Sequence, residues 1–519
     1  MTEITPQTIL LLLPEMILVG VAIVIYLAGA FAPGKGGWSK VALVGLVAAT
    51  AALWRQPANP LEIGGPLTVD SLGQFFRGLS LVMGALFVLT SARRANQSQG
   101  AEVIGSLLLV ISGMMLVASA SDLVLLFVGL ELISIPTYVL LYLGREGRES
   151  QESAVKYFFL SIFASAILLY GFSFLYGAAG TTSLTEIRQS LAAANLSGSE
   201  LAGRGAIGMA PIALVLIIGG LAFKLAAVPL HFYAPDVYQG ASNANAGLLA
   251  VAPKLAGVVV LVRIIAASMP GLEAFGWQMT IVLAMVTMTL GNVMALWQHN
   301  IRRMLAYSSI AHAGYMLIGL SVALAASGQG ETSENGMTAL LLYMTVYALA
   351  TAGTFAALTY LSGDGSSIDD VDQLAGLCRT KPGVAAAVAV FMFSLAGIPP
   401  LAGFWGKLSL FASALAVEPN GSTLFGEPRM WFVALAVLGA LNAAIGAAYY
   451  LRIVAAMYFR PTSEKQTDHA AGAGALTAMW TTAVLVVLIG LHPSGVVSRA
   501  TRAAESVAQG ESVAESTGR

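Results

Sequence analysis

Cysteine is almost absent from this sequence, since Cys378 is the only one in 519 residues. A single thiol excludes an internal disulfide and a cysteine-rich metal cluster. Charge is scarce as well, because Asp, Glu, Lys and Arg make up 10% of the chain and the formal net charge is −1. This balance gives no indication of nucleic-acid binding. Nucleotide loops, haem and flavin motifs and metal-ligand spacings are also missing, so no cofactor or metal site is expected in this chain.

Apolar residues are abundant: 57% of the chain is hydrophobic and the mean hydropathy is +0.79. Such a composition is typical of an all-α polytopic membrane protein. Apolar runs near the length that a bilayer requires predict about fourteen transmembrane helices. The predicted spans are 9–31, 39–54, 70–91, 104–120, 122–143, 154–177, 211–229, 245–267, 277–297, 303–326, 337–361, 384–416, 430–458 and 473–492.

The distribution of Lys and Arg predicts how these spans are oriented. With the N-terminus outside, the inner loops hold more basic residues than the outer loops do, as the positive-inside rule requires. Both termini are therefore predicted outside. The first apolar run follows an acidic rather than a basic flank, so it is expected to be a retained span and not a cleaved signal peptide.

Two pairs of similar motifs predict an internal repeat. "FKLAAVP" at 223–229 recurs as "FSLAGIP" at 393–399, and Tyr138 in "ELISIPTYVLLYL" aligns with Tyr315 in "SIAHAGYMLIGL" at a similar offset. The fourth to eighth spans would then correspond to the ninth to thirteenth. Because each repeat has an odd number of helices, the two repeats are expected to be inverted in the membrane.

Prolines in the matching motifs predict that the seventh span is broken at Pro229 and the twelfth at Pro399 and Pro400. Broken helices in corresponding positions indicate a transport site near the middle of the membrane. The last segment is expected to hold the final span and a solvated, mobile tail. The predicted divisions are N-terminal helices at 1–103, a first repeat at 104–268, a second repeat at 269–460 and the last segment at 461–519.

Charged residues inside the predicted spans are the main candidates for function, because an intramembrane charge is costly. They include Glu131, Lys224, Lys254 and Lys407. Lys224 lies near the first break, where a hydrated cavity would serve both the freed backbone and the ammonium. Glu131 needs a cation, and Lys224 is its expected partner. Lysine, unlike arginine, can exchange its proton when buried, although structural or snorkelling roles are the alternatives.

Other polar residues give weaker signals. His312 is suited either to proton exchange or to neutral helix packing. His231 and Asp236 follow the first break and either admit water or satisfy the freed backbone. Arg263 is interpreted as structural, and Arg77 has no assigned role.

Five motifs together resemble the antiporter-like proton-pumping subunits of respiratory complex I. They are, in order, "LLFVGLELISIPTY", "FKLAAVPLHFYAPDVYQGA", "PKLAG", "NIRRMLAYSSIAHAGY" and "GIPPLAGFWGK". The resemblance implies that Glu131, Lys224, Lys254 and Lys407 match the family's relay glutamate and lysines. One departure is the run "SNANA" after "APDVYQGA", where the family usually has prolines, and it predicts an altered connection before Lys254.

The resemblance also implies a mechanism and a setting. Quinone reduction in partner subunits would drive protons along the relay, with quinone, NADH, FMN and iron–sulfur clusters bound by those partners. The antiporter-like subunit M and the small subunit K are expected as neighbours within a bacterial inner membrane, with both termini on the periplasmic side.

Two alternatives to this function stay open. An Mrp-type cation/proton antiporter or a membrane-bound hydrogenase subunit would share the lysines and the broken helices. A structural membrane subunit that does not pump would tolerate exchange of the buried lysines.

Overall fold

The computed structural model describes residues 6–31, 36–56, 65–145, 147–197, 203–266, 269, 271–327, 334–362, 368–417, 427–461 and 472–517. Within these ranges the chain forms helices joined by short connections, and the only β-pairing consists of isolated bridges. The predicted all-α membrane fold is confirmed.

A group of helices precedes the first predicted repeat. Asp70 begins the last of them, because its carboxylate accepts a hydrogen bond from the Gly73 amide at 2.8 Å and so caps a free N–H of the first turn. The second helix of this group, Leu13–Phe31, packs against Gly100–Ser119, the first long helix after the group. The helices are α1 (Pro6–Leu11), α2 (Leu13–Phe31), α3 (Trp38–Trp54) and α4 (Ser71–Thr90).

The next helices, α5 to α11, form what we term the first unit. Its short helix α8 lies between the sixth and seventh predicted spans, and Leu184, Ile187 and Leu191 form its buried face. The unit ends in a π-helical turn, Val262–Ala266. Its helices are α5 (Gly100–Ser119), α6 (Leu123–Tyr142), α7 (Arg148–Ala179), α8 (Leu184–Ser197), α9 (Gly203–Leu225), α10 (Tyr233–Gly240) and α11 (Asn243–Leu261).

The second unit comprises α12 to α18, and two more helices follow it. The α12 and α13 backbones approach closely, because a Cβ on Gly291 would lie 2.5 Å from the Ala311 nitrogen. Small residues permit such contact between membrane helices. The helices are α12 (Glu273–Leu296), α13 (Ile301–Ser327), α14 (Glu334–Ser362), α15 (Leu377–Thr380), α16 (Pro382–Ala396), α17 (Ala402–Leu415), α18 (Pro428–Phe459), α19 (Ala473–Leu491) and α20 (Ser494–Thr517).

Both predicted helix breaks are confirmed. Helix α9 ends at Leu225 and α10 begins only at Tyr233, while α16 ends at Ala396 and α17 begins at Ala402. Gly397, at the second break, adopts a left-handed φ of +89°, which glycine allows at little cost. The breaks lie where the two-repeat hypothesis requires them, and the repeat itself stays a prediction.

Each of the predicted spans coincides with helical structure, and the twelfth is divided between α16 and α17. Among the described residues, 12 helices are long and apolar enough to cross a membrane, and Trp38–Trp54 and Pro382–Ala396 are shorter apolar helices. The protein is therefore a multi-pass membrane protein, and the count of about fourteen spans stays a prediction.

Helices α11 and α14 form the centre of the bundle. The apolar windows of both are 100% buried, whereas that of α18 is 33% buried. Helix α14 contacts α11, α13, α16, α17, α19, α20 and α4. A residue on α11 or α14 therefore faces protein on every side, and its polar groups need protein or water partners.

The prediction of a solvated tail, "SRATRAAESVAQGESVAESTGR" at 498–519, is wrong for residues 498–507. This segment belongs to α20, which packs on α4 and α14. Ala500, Ala503, Ala504 and Val507 are buried at helical spacing. The apolar stripe of a single helix face was too short and too rich in alanine to stand out from a polar tail in the sequence.

Candidate functional site

Glu131 and Lys224 meet beside the first break, as predicted. The Lys224 Nζ donates a hydrogen bond to Ser134 Oγ at 2.6 Å and lies 4.0 Å from Glu131 Oε1. Lys224 is 3% exposed, and the same carboxylate oxygen accepts a hydrogen bond from Ser165 at 2.6 Å. The ammonium therefore has one hydroxyl and one carboxylate as its close polar neighbours on α6.

The break next to Lys224 is closed by side chains of neighbouring helices. The Tyr233 hydroxyl donates to the Phe223 carbonyl at 2.9 Å, and the Val228 amide donates to Thr287 Oγ1 at 3.1 Å. These bonds satisfy backbone groups that an unbroken helix would pair internally. Lys224 occupies the last turn of α9, where the helix dipole favours a cation.

Glu131 lies at the rim of the bundle. Its side chain is 21% exposed, in contrast to 3% for Lys224. The carboxylate is on α6 and is held by Ser165 from α7. A carboxylate at this position can respond to whatever covers the α6–α7 face, while its other side contacts the buried lysine.

Lys254 lies on the central helix α11 and is 1% exposed. Its Nζ donates to the carbonyl of Ser309 on α13, and no carboxylate among the described residues forms an ion pair with it. Ser309 Oγ is 2.8 Å from the Tyr347 hydroxyl, which donates to the Ala250 carbonyl at 2.9 Å. Lys254 therefore points to the seam between the two units and not to lipid.

Helix α11 also approaches the first lysine. A Cβ on Gly257, one turn beyond Lys254, would lie 3.5 Å from the Lys224 Cβ. This is an ordinary van der Waals distance, so α9 and α11 are in contact where the two lysines leave their helices.

His312 joins two tyrosines that the sequence analysis did not identify. Its Nδ1 lies 2.5 Å from the Tyr343 hydroxyl on α14, and its Nε2 lies 2.8 Å from the Tyr450 hydroxyl on α18. The tautomer decides which ring nitrogen donates. Tyr450 also hydrogen-bonds Ser308. Their sequence signal would have been tyrosines within spans whose other residues are almost all apolar.

Lys407 turns toward the second break instead of reaching a membrane surface. It is 6% exposed, and its Nζ donates to the carbonyl of Ala396, the last residue of α16, at 3.0 Å. The ammonium is also 5.0 Å from the centre of the Tyr315 ring, a cation–π distance. Lys407 therefore belongs to α17, and its ammonium lies at the C-terminal end of α16.

Asp236 and His231 have different surroundings in the structure. Burial alone would raise the pKa of the Asp236 carboxyl, but hydrogen bonds from Arg303 and Lys156 outweigh burial and hold that pKa below its ordinary value. The Asp236 oxygens lie 2.5 Å from Arg303 and 3.2 Å from Lys156. His231, beside the break, has a buried Nδ1 without a hydrogen-bond partner among the described residues. Asp236 thus joins α7, α10 and α13.

The "SNANA" run makes specific contacts before Lys254. Ser242 caps α11 by accepting from the Asn245 amide at 3.4 Å. The Asn243 side chain donates to the Leu358 carbonyl on α14 at 3.1 Å, and the Asn245 side chain donates to the Leu140 carbonyl on α6. The asparagines therefore fasten the start of α11 to both neighbours.

Two buried arginines have structural partners. Arg263 pairs with Asp70 through two hydrogen bonds of 2.6 and 2.8 Å, as its structural interpretation predicts. Arg77 pairs with Glu15 through bonds of 2.8 and 2.7 Å, and Glu15 is 4% exposed. Glu15 was not among the residues predicted from the sequence, although a lone acid within an apolar run is a signal of a buried partner.

The described residues contain no cluster of three His, Cys, Asp or Glu side chains with the spacing of a metal site. The buried lysines Lys224, Lys254 and Lys407 are instead far apart in sequence, and each donates a hydrogen bond to a hydroxyl or a backbone carbonyl group.

Comparison with known proteins matches this arrangement to one family. The family described as "NADH:quinone oxidoreductase/Mrp antiporter, TM" matches residues 120–427. These residues include both breaks and all four predicted relay residues. The NADH-quinone oxidoreductase subunit N of Rhodospirillum rubrum is 38% identical over 504 residues, which cover 95% of this chain and 96% of that protein.

Solved structures give the same result for the fold. A chain of respiratory complex I from Thermus thermophilus with bound aureothin is 32% identical, with a TM-score of 0.74, and the match covers 93% of this chain and 98% of that chain. A chain of the Mrp complex from Dietzia sp. DQ12-45-1b has a TM-score of 0.78 at 20% identity, covering 95% and 97% of the two chains. The latter similarity concerns the fold alone.

Proposed function

This chain belongs to the NADH:quinone oxidoreductase/Mrp antiporter family of membrane proteins, with subunit N relatives along nearly its whole length, and on this premise we propose that Glu131, Lys224, Lys254 and Lys407 form its proton relay. The chain is a proton-translocating membrane subunit of NADH-quinone oxidoreductase and hence part of a translocase. The observation that carries the relay assignment is the 4.0 Å contact between Glu131 and Lys224 at a broken helix.

The first step of the relay is electrostatic. The Glu131 carboxylate stabilises the charged form of Lys224, and a change at the exposed side of Glu131 weakens that stabilisation. Lys224 then releases its proton more readily toward Lys254. Ser134 and Ser161, whose hydroxyls lie 2.6 and 3.4 Å from the Lys224 Nζ, receive its hydrogen bonds in the meantime.

The second half of the relay continues from Lys254 to Lys407. The space between α11 and the second break holds Ser309, Tyr347 and His312 with its two tyrosine partners. Water is required to join these hydroxyls into a continuous path. At the second break, the freed carbonyl of Ala396 accepts the hydrogen bond from Lys407. His312 is an accessory group, placed between two phenols.

The energy for translocation comes from partner subunits. Moving one elementary charge against 100 mV requires about 2.3 kcal/mol. Quinone reduction would supply it, with NADH, FMN, iron–sulfur clusters and quinone bound outside this chain. The 21% exposure of Glu131 supports a covering neighbour on the α6–α7 face.

The similarity to subunit N proteins also supports a proposal for the neighbouring subunits and for the membrane that holds this chain. The neighbours would be the antiporter-like subunit M and the small subunit K. The membrane would be a bacterial inner membrane, with both termini on the periplasmic side, as the distribution of basic residues favours.

Lys254→Met tests the relay most directly. Methionine retains most of the side-chain length and removes the titrating amine, so we expect the complex to assemble and its quinone reductase turnover and proton flux to fall together by about a hundredfold. The two rates fall together because a blocked relay in a coupled machine retards the driving reaction. Lys254→Arg should fail too, since guanidinium keeps its charge. The measurements are turnover and acidification in proteoliposomes that contain the whole complex.

Lys40→Met is the control, because this lysine is exposed at the start of α3 and should tolerate the same change. Wild-type turnover and flux in Lys254→Met would remove Lys254 from the relay and would favour a structural subunit that does not pump. Flux that depends on sodium would favour a cation/proton antiporter instead.

A further inference from the structure

Asn292 is an uncharged residue that hydrogen-bonds Tyr315 and Tyr449, two tyrosines beside the second half of the proposed relay. It is on α12 and is 1% exposed. Its Oδ1 accepts a hydrogen bond from the Tyr449 hydroxyl at 3.0 Å. Its Nδ2 lies 3.3 Å from the Tyr315 hydroxyl and 2.9 Å from the Met288 carbonyl of its own helix. One amide thus joins α12, α13 and α18.

Each of these tyrosines adjoins a titratable residue. The Tyr315 ring lies beneath Lys407, with 5.0 Å from Nζ to the ring centre. The Tyr449 ring packs against Tyr450 at 4.4 Å between centres, and Tyr450 hydrogen-bonds His312 at 2.8 Å. The Asn292 amide is therefore separated from Lys407 by one side chain, Tyr315, and from His312 by two, Tyr449 and Tyr450.

The surrounding backbone allows little freedom to this amide. A Cβ on Gly314 would lie 2.6 Å from the Met288 nitrogen, which shows how closely α12 and α13 pack at this level. A Cβ on Gly446 of α18 would lie 3.1 Å from the Asn292 Oδ1. The asparagine amide suits this gap, because it donates to one tyrosine hydroxyl and accepts from the other.

We propose that Asn292 is a positioning residue of the proton relay: its amide holds Tyr315 beneath Lys407 and, through Tyr449, orients the Tyr450 hydroxyl that binds His312. The proposal rests on the proposed function, because it assigns a task to Asn292 only if Lys407 and His312 act in proton transfer. Asn292 itself does not titrate, so it transfers no proton and acts through the tyrosines.

Asn292→Leu tests the proposal in the whole complex. Leucine has nearly the same size but no hydrogen-bonding groups, so both tyrosine hydroxyls lose their partner. We expect normal assembly, an unchanged quinone KM and a fall in kcat of about two- to thirtyfold, the range for residues that carry coupling between sites. The solvent deuterium isotope effect on turnover should rise, because proton transfer becomes more nearly rate-limiting.

Asn442→Leu is the matched control. Asn442 is 2% exposed in the same polar seam, but it bonds Thr289, Leu438 and Asn292 and has no hydrogen bond to either tyrosine among the described residues. If Asn292 serves only to pack α12 on α18, the two leucine variants should behave alike. Turnover and isotope effect at wild-type values in Asn292→Leu, or equal losses in both variants, would overturn the proposal.

Two tyrosine variants keep the test decisive if Asn292→Leu does not assemble. Tyr315→Phe and Tyr449→Phe each retain the ring and remove the hydroxyl that bonds Asn292. Each should lower kcat and raise the isotope effect, and wild-type behaviour of both would contradict the positioning role.

Lys407→Met separates this proposal from the proposed function. If Lys407→Met is impaired and Asn292→Leu is not, only the role of Asn292 fails. If Lys407→Met itself has wild-type turnover and flux, the relay through Lys407 fails. When both hold, adding Asn292→Leu to Lys407→Met should lower kcat by less than it does in the wild-type background, because the two residues act on one step.

Discussion

At the scale of single residues, two carboxylates that pair with buried cations, Glu15 and Glu131, have different surroundings. Glu15 binds Arg77 through both of its oxygens and is almost completely enclosed. Glu131 approaches Lys224 at 4.0 Å, binds Ser165 and is partly exposed. A tight bidentate pair fixes two helices, whereas a looser pair with one exposed side can change its interaction energy when its surroundings change.

Glu131→Gln should therefore impair function more than structure. Glutamine can still accept the Ser165 hydrogen bond but carries no charge for Lys224. We expect the complex to assemble and its turnover to fall by about five- to hundredfold, the usual size of a coupling between two sites. Reductase turnover and proton flux in proteoliposomes are the measurements. Glu152→Gln, an exposed carboxylate on α7, is the control and should leave both rates unchanged.

Failure of the Glu131→Gln complex to assemble would contradict this expectation. It would mean that the carboxylate chiefly stabilises the buried lysine, since removal of one partner from a buried pair can cost about 3–5 kcal/mol.

At the scale of helices, the second break places a glycine where the Lys407 side chain passes. Gly397 ends α16 with a left-handed φ, and a Cβ there would lie 2.9 Å from the Lys407 Cδ. The glycine thus serves the backbone and the lysine at once. Gly180, which ends α7 with a φ of +75°, has nothing within 4 Å of its Cβ position and serves the backbone alone.

Gly397→Ala and Gly180→Ala should consequently differ in function and agree in stability. Both force a left-handed alanine, at a cost of about 1–2 kcal/mol. Only Gly397→Ala displaces the Lys407 side chain, so we expect turnover and proton flux to fall in that variant alone. Thermal unfolding and proteoliposome assays of the two complexes are the measurements. Equal turnover in both variants would show that the Lys407 stem can shift without consequence.

Much of the helix plan was predictable, because apolar length and proline position depend on local sequence. The spans followed from apolar runs, both breaks from prolines, and the Glu131–Lys224 pairing from isolated charges within spans. The tyrosines around His312 did not, since they lie on three helices, and their convergence depends on how α13, α14 and α18 pack. Asn292 was missed for the same reason. The burial of α20 on α4 and α14 is likewise a long-range contact that no local pattern contains.

At the scale of the whole molecule, ion pairs fasten the N-terminal helices and the two units at opposite ends of the bundle. Asp70, at the start of α4, holds Arg263 at the end of the first unit. At the other end, Asp236 of the first unit holds Arg303 of the second, and Asp369 holds Arg302 and Arg145. Each carboxylate joins helices that lie far apart in sequence.

Asp70→Asn should loosen one of these fastenings without removing the helix cap, because asparagine caps as well as aspartate does. Arg263 would keep a buried charge without its carboxylate, so we expect a loss of about 3 kcal/mol. The temperature at which this subunit leaves the purified complex measures the effect. Asp122→Asn is the control, since Asp122 caps α6 and has no ion pair among the described residues. Equal shifts in both variants would show that the Arg263 pair contributes little.

The burial of α14 also constrains how the chain is made. Helices that enclose it are synthesised both before it, as α4, α11 and α13 are, and after it, as α16, α17 and α19 are. Translation at about 5–20 residues per second leaves an interval on the order of ten seconds between the end of α14 and the end of α19. During that interval the face of α14 that later packs on α16, α17 and α19 lacks its protein neighbours, and it includes Tyr343, which lies beside Gly406 of α17. This face of the nascent bundle therefore contacts lipid or an insertion factor until those helices are made.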